Sequence, residues 1–562
     1  MPRITGARLL ADAFAEYGVS HVFFVPTILS HMLVEMDDRT DIGRIVTHGE
    51  KSAVYMADGY ARATGRPGVC MAQTVGAANL AAGLRDPYLA CTPVLAITGG
   101  PTTSTRSRHT YQQIDDLPLF ERVTKWNAQT GSADRLPDLL RQAFRVATTG
   151  KPGPVHIELE GHSGDVPEQQ ETDVEVGAEA RFARVPSFRP EPEGEAVDEA
   201  LARLARAERP VIVAGGGVRS SGAGEELVQV AERLQIPVAT SLNAKDMIPG
   251  THPLYVGVVG SYSRRSANQV VREADLVFFV GSQTGSQVTN SWTVPPRSTP
   301  VIQADIEPTE LGHHYRNEVS LLGDARATLR LLAGRAATAA TPDRSAWTAR
   351  VTELIGEWRK DYEPLLASDA TPIRPERLCG ELSRTLPDDA LLVSDTGHSG
   401  MWTGGMVDLR AGQGYLRAAG SLGWGFPAGV GAKLGAPSRP VVVFSGDGGF
   451  WYHLQELETA VRWRAGVVVL VNNNRSLNQE IGIYSSAYGG QLRARHAELW
   501  HFSEVDFAAV AESMGARGIR VTDPGDIEKA LTTALDQAQS EHRPVVVDAV
   551  SDIEALAPRA FS

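Results

Sequence analysis

Two oxygen-bearing side chains, Asp447 and Asn474, each stand just past a run of apolar residues: VVVF at 441–444 and VVVLVN at 467–472. Unbroken β-branched runs of this length predict strands buried on both faces of a parallel sheet. Open α/β sheets bind ligands outside the carboxyl ends of such strands, so a carboxylate and a carboxamide are expected to converge on one site. Donors that are all oxygen suit Mg2+ better than zinc, and Mg2+ is usually shared with the phosphates of a substrate or cofactor. Gly446, Gly448 and Gly449 would let backbone amides approach a diphosphate closely, and a helix expected to begin near Leu454 would add the positive end of its dipole. Two ordinary strand-end turns would read the same way, because Gly-Asp-Gly is a common triplet.

The elements that must position these residues alternate along the chain. Residues 1–165 interleave helical stretches with HVFFV (21–25), RIVTH (44–48), GVCMAQ (68–73), PVLAITG (93–99) and GPVHIEL (153–159), which predicts a parallel sheet covered on both faces. Residues 166–195 are acidic, bear prolines and lack periodicity, the composition of a surface linker. A second α/β unit at 196–335 holds RPVIVAGGG, PVATS, ADLVFFVGS and PVIQADIEP. A linker helix at 336–371 leads to a third unit, 372–562, with LLVSD, the two runs above and PVVVDAV. The fold class is therefore α/β, with three doubly wound parallel-sheet domains.

Bulk composition excludes several classes. At 42% apolar and 22% charged residues the chain is that of an ordinary globular protein, and no stretch of about 18 uninterrupted apolar residues is present to span a membrane. The net charge of −13 argues against nucleic acid as a partner and leaves a small molecule as the expected substrate. Cys70, Cys91 and Cys379 are scattered among apolar residues, as reduced thiols of a cytoplasmic protein would be, and the N-terminus lacks the apolar core of a signal peptide.

The Gly-Asp-Gly and Asn-Asn pair, at this spacing, resembles the diphosphate-binding motif of thiamine-diphosphate enzymes. Two outer α/β units around a middle one are similar to the acetolactate synthase, pyruvate decarboxylase and 2-hydroxyacyl-CoA lyase superfamily, and the resemblance covers nearly the whole chain. It implies pyrimidine-binding, central and diphosphate-binding domains in that order. It also implies thiamine diphosphate and Mg2+ as cofactors, with Asp447, Asn474 and the carbonyl of Ser476 on the metal. The text THGEKSAVYMADGYARATGRPGV matches the family segment whose glutamate protonates the aminopyrimidine ring, and so nominates Glu50; a helix-start acid facing the dipole would look alike. By the same resemblance Leu422, in GSLGWGFPAGVGA, is the apolar wedge beneath the bent cofactor, though a core leucine is indistinguishable in isolation. Gly397, His398 and Gly76 are matched to cofactor contacts. Glu50 and the metal motif come from different subunits in the family, which implies a homodimer or homotetramer with active sites between subunits.

Glu480 bears most on the chemistry. It lies six residues beyond Asn474, where pyruvate decarboxylase-like enzymes carry an acid and acetolactate synthases an apolar residue. A carboxyl there could move a substrate proton, whereas a solvated helix-start glutamate is the plain alternative. Gln112, in a Tyr-Gln pair resembling the Phe-Gln of acetolactate synthases, is either a contact to the reacting species or a loop amide. Ile28 and Gln73 replace small residues of relatives and are expected to reshape the pocket; His31 and His48 are pocket residues or structural histidines. In the middle unit GGGVRSSGAGEE is an imperfect nucleotide-binding turn, where relatives bind FAD, ADP or CoA nucleotide, or nothing. Ala267-Asn268 stand where an Arg-Ser pair holds CoA in oxalyl-CoA decarboxylase, with Arg264 and Arg265 nearby. The resemblance thus implies a 2-oxo acid decarboxylase or carboligase, with a 2-hydroxyacyl-CoA lyase as alternative and a non-catalytic thiamine-diphosphate-binding homologue as the reading from another class.

Overall fold

A computed structural model describes residues 3–337 and 343–561. Residues 338–342, inside the stretch read as a linker helix, lie outside the described residues; the helix of that stretch runs from Ser345–Leu366. The chain forms three six-stranded sheets, every neighbouring pair of strands in them parallel. Helices cover both faces, as the doubly wound reading requires.

In the first domain the strands lie side by side in the order Gly43–Val46, His21–Phe24, Gly68–Ala72, Val94–Gly100, Val155–Glu160 and Trp126–Thr130. The third domain runs Gly414–Arg417, Leu391–Ser394, Val441–Gly446, Val467–Asn473, Val545–Val550 and Arg517–Val521. Numbered along each chain segment, both orders are 2-1-3-4-6-5. The middle domain differs: Tyr255–Val258, Val238–Thr240, Pro210–Ala214, Leu276–Val280, Val301–Asp305 and Asn317–Leu322 give 3-2-1-4-5-6, the order of dinucleotide-binding folds. The segment read as a bare linker contains a short helix, Asp165–Glu168, and a two-residue strand, Glu171–Thr172, that pairs antiparallel with Ile4–Thr5.

The outer domains meet through two helices, Glu50–Thr64 and Gly425–Gly435. Gly59 lies against Ala428 and Gly431 against Met56, so closely that a methyl at either glycine would overlap backbone of the other helix. Beside this crossing Arg62 pairs with Asp58 and Asp86, all three buried, at 2.6 and 2.9 Å. Asp58 also accepts a bond from the Trp424 indole at 2.8 Å. A buried charge left without a partner is costly, so these polar groups lock the crossing to one register. Among the described residues no helix is long and apolar enough to cross a membrane.

Candidate active site

Asp447 and Asn474 do converge. Asp447 follows strand Val441–Gly446, and Asn474 follows strand Val467–Asn473, which pairs with it in parallel register. The backbone N–H of Ser476 donates to Asp447 Oδ2 (3.0 Å) and to Asn474 Oδ1 (3.2 Å), and the Ser476 hydroxyl donates to the same carboxamide oxygen at 3.0 Å. All three residues are buried. Burial pushes the Asp447 carboxyl up to about 7, against backbone hydrogen bonds that pull it down. A carboxylate so short of counter-charge, among oxygen donors, fits a hard divalent cation that would keep it ionised. A helix does begin near Leu454, at Glu456–Arg462, and a separate short helix, Asp447–Trp451, opens at the Gly-Asp-Gly turn itself.

These residues line one wall of a cleft of about 300 Å3. Gly446, Gly448 and Gly449 form part of that wall, as do Gly397, His398, Leu422 and Glu480. The loop bearing Leu422 is held by two buried carboxylates. Asp86 of the first domain accepts from the N–H groups of Ala419 and Ser421, each at 3.0 Å. Asp395 accepts from Gly423 at 3.1 Å and Gly425 at 3.0 Å, and burial raises it to about 6. Leu422 is thus fixed from both sides. His398 opens the helix His398–Met406 and meets Asn478, its Nδ1 2.9 Å from the carboxamide oxygen. Glu480, half-buried, ends the single turn Asn478–Glu480 beside it.

Glu50 is elsewhere. It opens the helix Glu50–Thr64, accepts from Asn79 Nδ2 at 3.1 Å and does not line the cleft of Asp447. Gly76 sits against it: a Cβ there would come within 2.6 Å of Glu50 Oε1, so that glycine makes room for the glutamate. Gln112 lies on an exposed loop, next to Tyr111 and Ile114, which are 80% and 64% exposed. Ile28 is fully buried in the first domain's core. His48 pairs with Glu458 at 2.8 Å and His31 with Glu168 at 3.3 Å.

Comparison with known proteins matches the descriptions of three thiamine pyrophosphate enzyme domains: the N-terminal TPP binding domain over residues 4–119, the central domain over 197–332 and the C-terminal TPP binding domain over 395–549. A probable acetolactate synthase large subunit of Methanocaldococcus jannaschii is 32% identical, with 98% of this chain and 93% of that protein covered. The chain belongs to the thiamine-pyrophosphate enzymes. Similar to it are also a probable acetolactate synthase large subunit of Methanococcus aeolicus, 31% identical over 99% of this chain and 94% of that one, and the acetolactate synthase large subunit of Corynebacterium glutamicum, 31% identical over 97% and 86%. It is accordingly an acetolactate synthase-like enzyme that uses thiamine diphosphate.

As a thiamine-pyrophosphate enzyme it carries features that sequence reading passed over. Asp395, Asp86 and Asn478 fix the loops of the cleft; the single Asp after LLVS, at a strand end, was the one available signal. The middle domain has a second cavity, about 410 Å3, where its strand order reverses, walled by Gly215–Gly217, Gly281, Ser282 and Asp305. Arg264 and Arg265 form ion pairs with Asp408 and Asp361, and Asn268 donates to the Gly260 and Ala560 carbonyls.

Proposed function

We propose that this enzyme, with Mg2+, decarboxylates a 2-oxo acid and joins the resulting fragment to a carbonyl acceptor, or stops at decarboxylation. The observation that carries this reading is the cleft in which Asp447, Asn474, Ser476, Leu422 and Glu480 share one wall. Thiamine diphosphate, when bound, supplies a nucleophilic carbon and an electron sink. Asp447, Asn474 and the Ser476 carbonyl would hold Mg2+ against the diphosphate, Leu422 would support the bend of the cofactor, and Glu50 would hold the proton of the pyrimidine ring. Glu480 would move the proton at the substrate oxygen, and Gln112 would bond the substrate.

Glu50 does not line the cleft of its own chain, which supports its supply by a second copy, with a homodimer as the minimum and a homotetramer of two such pairs. Exposed apolar side chains beside Glu50 and Gln112, namely Val75, Tyr111, Ile114 and Tyr452, suit burial by that copy. We place the enzyme in the cytoplasm, with a small-molecule substrate and neither nucleic acid nor membrane as partner. The middle cavity would take a nucleotide-bearing ligand, FAD or an ADP or CoA moiety.

The alternative, a 2-hydroxyacyl-CoA lyase releasing formyl-CoA, draws support from the Glu480 carboxyl but loses it at Arg264, Arg265 and Asn268. A non-catalytic homologue is disfavoured by the retention of Glu50 beside an intact Asp447, Asn474 and Ser476. The deciding experiment offers 2-oxo acids, aldehydes and 2-hydroxyacyl-CoAs to the purified enzyme with thiamine diphosphate and Mg2+. Carbon dioxide release from plain 2-oxo acids supports the main reading; formyl-CoA alone would replace it with the alternative.

A further inference from the structure

The hydrogen bonds around Asn478 settle which nitrogen of His398 carries a proton. Asn478 Nδ2 donates to the carbonyl oxygens of Ile553 (2.9 Å) and Ala555 (3.0 Å), in the C-terminal tail. Turning the amide round would set its oxygen against two other oxygens, so Oδ1 faces the ring. An acceptor facing Nδ1 requires a hydrogen there, and neutral His398 is therefore the Nδ1–H tautomer, with a bare lone pair on Nε2. With Nδ1 committed, Nε2 is the nitrogen left for the cleft. The turn that carries it is tied to the Gly446–Asp447 turn, because Gly446 N–H donates to Ser399 Oγ at 2.9 Å.

A diphosphate seated on that turn presents only acceptors, and two acceptors cannot bond. His398 can meet a phosphate oxygen through Nε2 only by carrying a second hydrogen. We propose that Asn478 positions His398 to bind the cofactor's diphosphate as an imidazolium, so that the cofactor enters together with a proton. This rests on the cofactor reading given above. Burial holds the free ring below the ordinary histidine range, so the proton is absent until the ligand brings a compensating charge. The titratable groups that share the cleft with the ring are Asp395 and Asp447 at the strand ends, Glu480 on its turn and Tyr262 from the middle domain. The charge that favours the imidazolium comes with the ligand: the diphosphate remains net negative beside its Mg2+.

The sign follows. A group whose pKa rises on binding strengthens binding at low pH and loses that contribution as pH climbs through the bound-state pKa, by up to about tenfold in affinity per pH unit. The test titrates full-length, metal-free protein with Mg2+–thiamine diphosphate by calorimetry in buffers of different ionisation enthalpy, for the wild type and His398→Gln. In parallel, 15N NMR of histidine-labelled protein reads the ring nitrogens, the His398 signal being the one absent from the variant. The wild type should take up more proton per site than the variant, lose affinity more steeply as pH rises, and show a protonated Nε2 in the complex. Equal proton uptake with parallel pH curves, or a bare His398 Nε2 in the complex, would overturn the inference. Absence of binding to the wild type would overturn the cofactor reading and this inference with it.

Discussion

Asp447 should make the metal-free enzyme less stable as pH rises, and Asp447→Asn should remove that penalty. Its carboxyl titrates near 7 in the fold against 3.8 as an ordinary aspartate, because burial disfavours its charge. A group whose folded pKa is raised contributes its full stability below the unfolded pKa and loses it as pH climbs through the folded one. The window is therefore from about pH 4 to just above 7. Each unit corresponds to about 1.4 kcal/mol, so the stability gap between variant and wild type should change by about 2–3 kcal/mol between roughly pH 5 and pH 8, in the variant's favour. The absolute offset is another matter: both carboxylate oxygens accept backbone N–H bonds, and an amide can satisfy one of them, which costs about 1–3 kcal/mol at every pH. Urea unfolding of EDTA-treated protein across this range, following the transition that the substitution moves, measures the slope. Added Mg2+ should flatten the wild-type profile and leave the variant unchanged. Parallel profiles for the two metal-free proteins would refute the claim that Asp447 is buried without a counter-charge.

Other outcomes follow from the same geometry. Glu50→Gln and Asp447→Asn should each abolish turnover alone, yet co-expressed they should recover about a quarter of wild-type activity, since mixed dimers hold one intact site; no recovery in confirmed mixed dimers would place Glu50 and Asp447 of one chain in the same site. Glu480→Gln should lower kcat while leaving Mg2+–thiamine diphosphate affinity, read by fluorescence titration, within about threefold; wild-type kinetics would make it a surface residue. Gly431→Ala should lower stability by about 1–3 kcal/mol in thermal or urea unfolding, because the new methyl meets the fixed carbonyl of Met56 rather than a side chain that can yield.

The interior strands were legible because burial on both faces leaves little but Val, Ile, Leu and Phe in them. The strands missed, Trp126–Thr130, Tyr255–Val258, Asn317–Leu322, Gly414–Arg417 and Arg517–Val521, all lie at sheet edges, where one flank is open and residues such as Asn127, Gln129 and Arg520 are tolerated. Asp447 and Asn474 could be read because each directly follows such an interior run. Asn478 could not, since its meaning depends on Ile553 and Ala555, some 75 residues away in sequence.

The shared strand order of the outer domains has a consequence for how this site is divided. Counting strands along each domain, Glu50 follows the second strand of the first domain and Leu422 the second strand of the third. Gly76 and Asp447 follow the two third strands in the same way. Under the proposed function, equivalent loops of one topology would take complementary work: one domain would keep the acid and clear space around it, the other would keep the wedge and the metal. A change in either set of loops thus has a counterpart position in the other domain against which it can be judged.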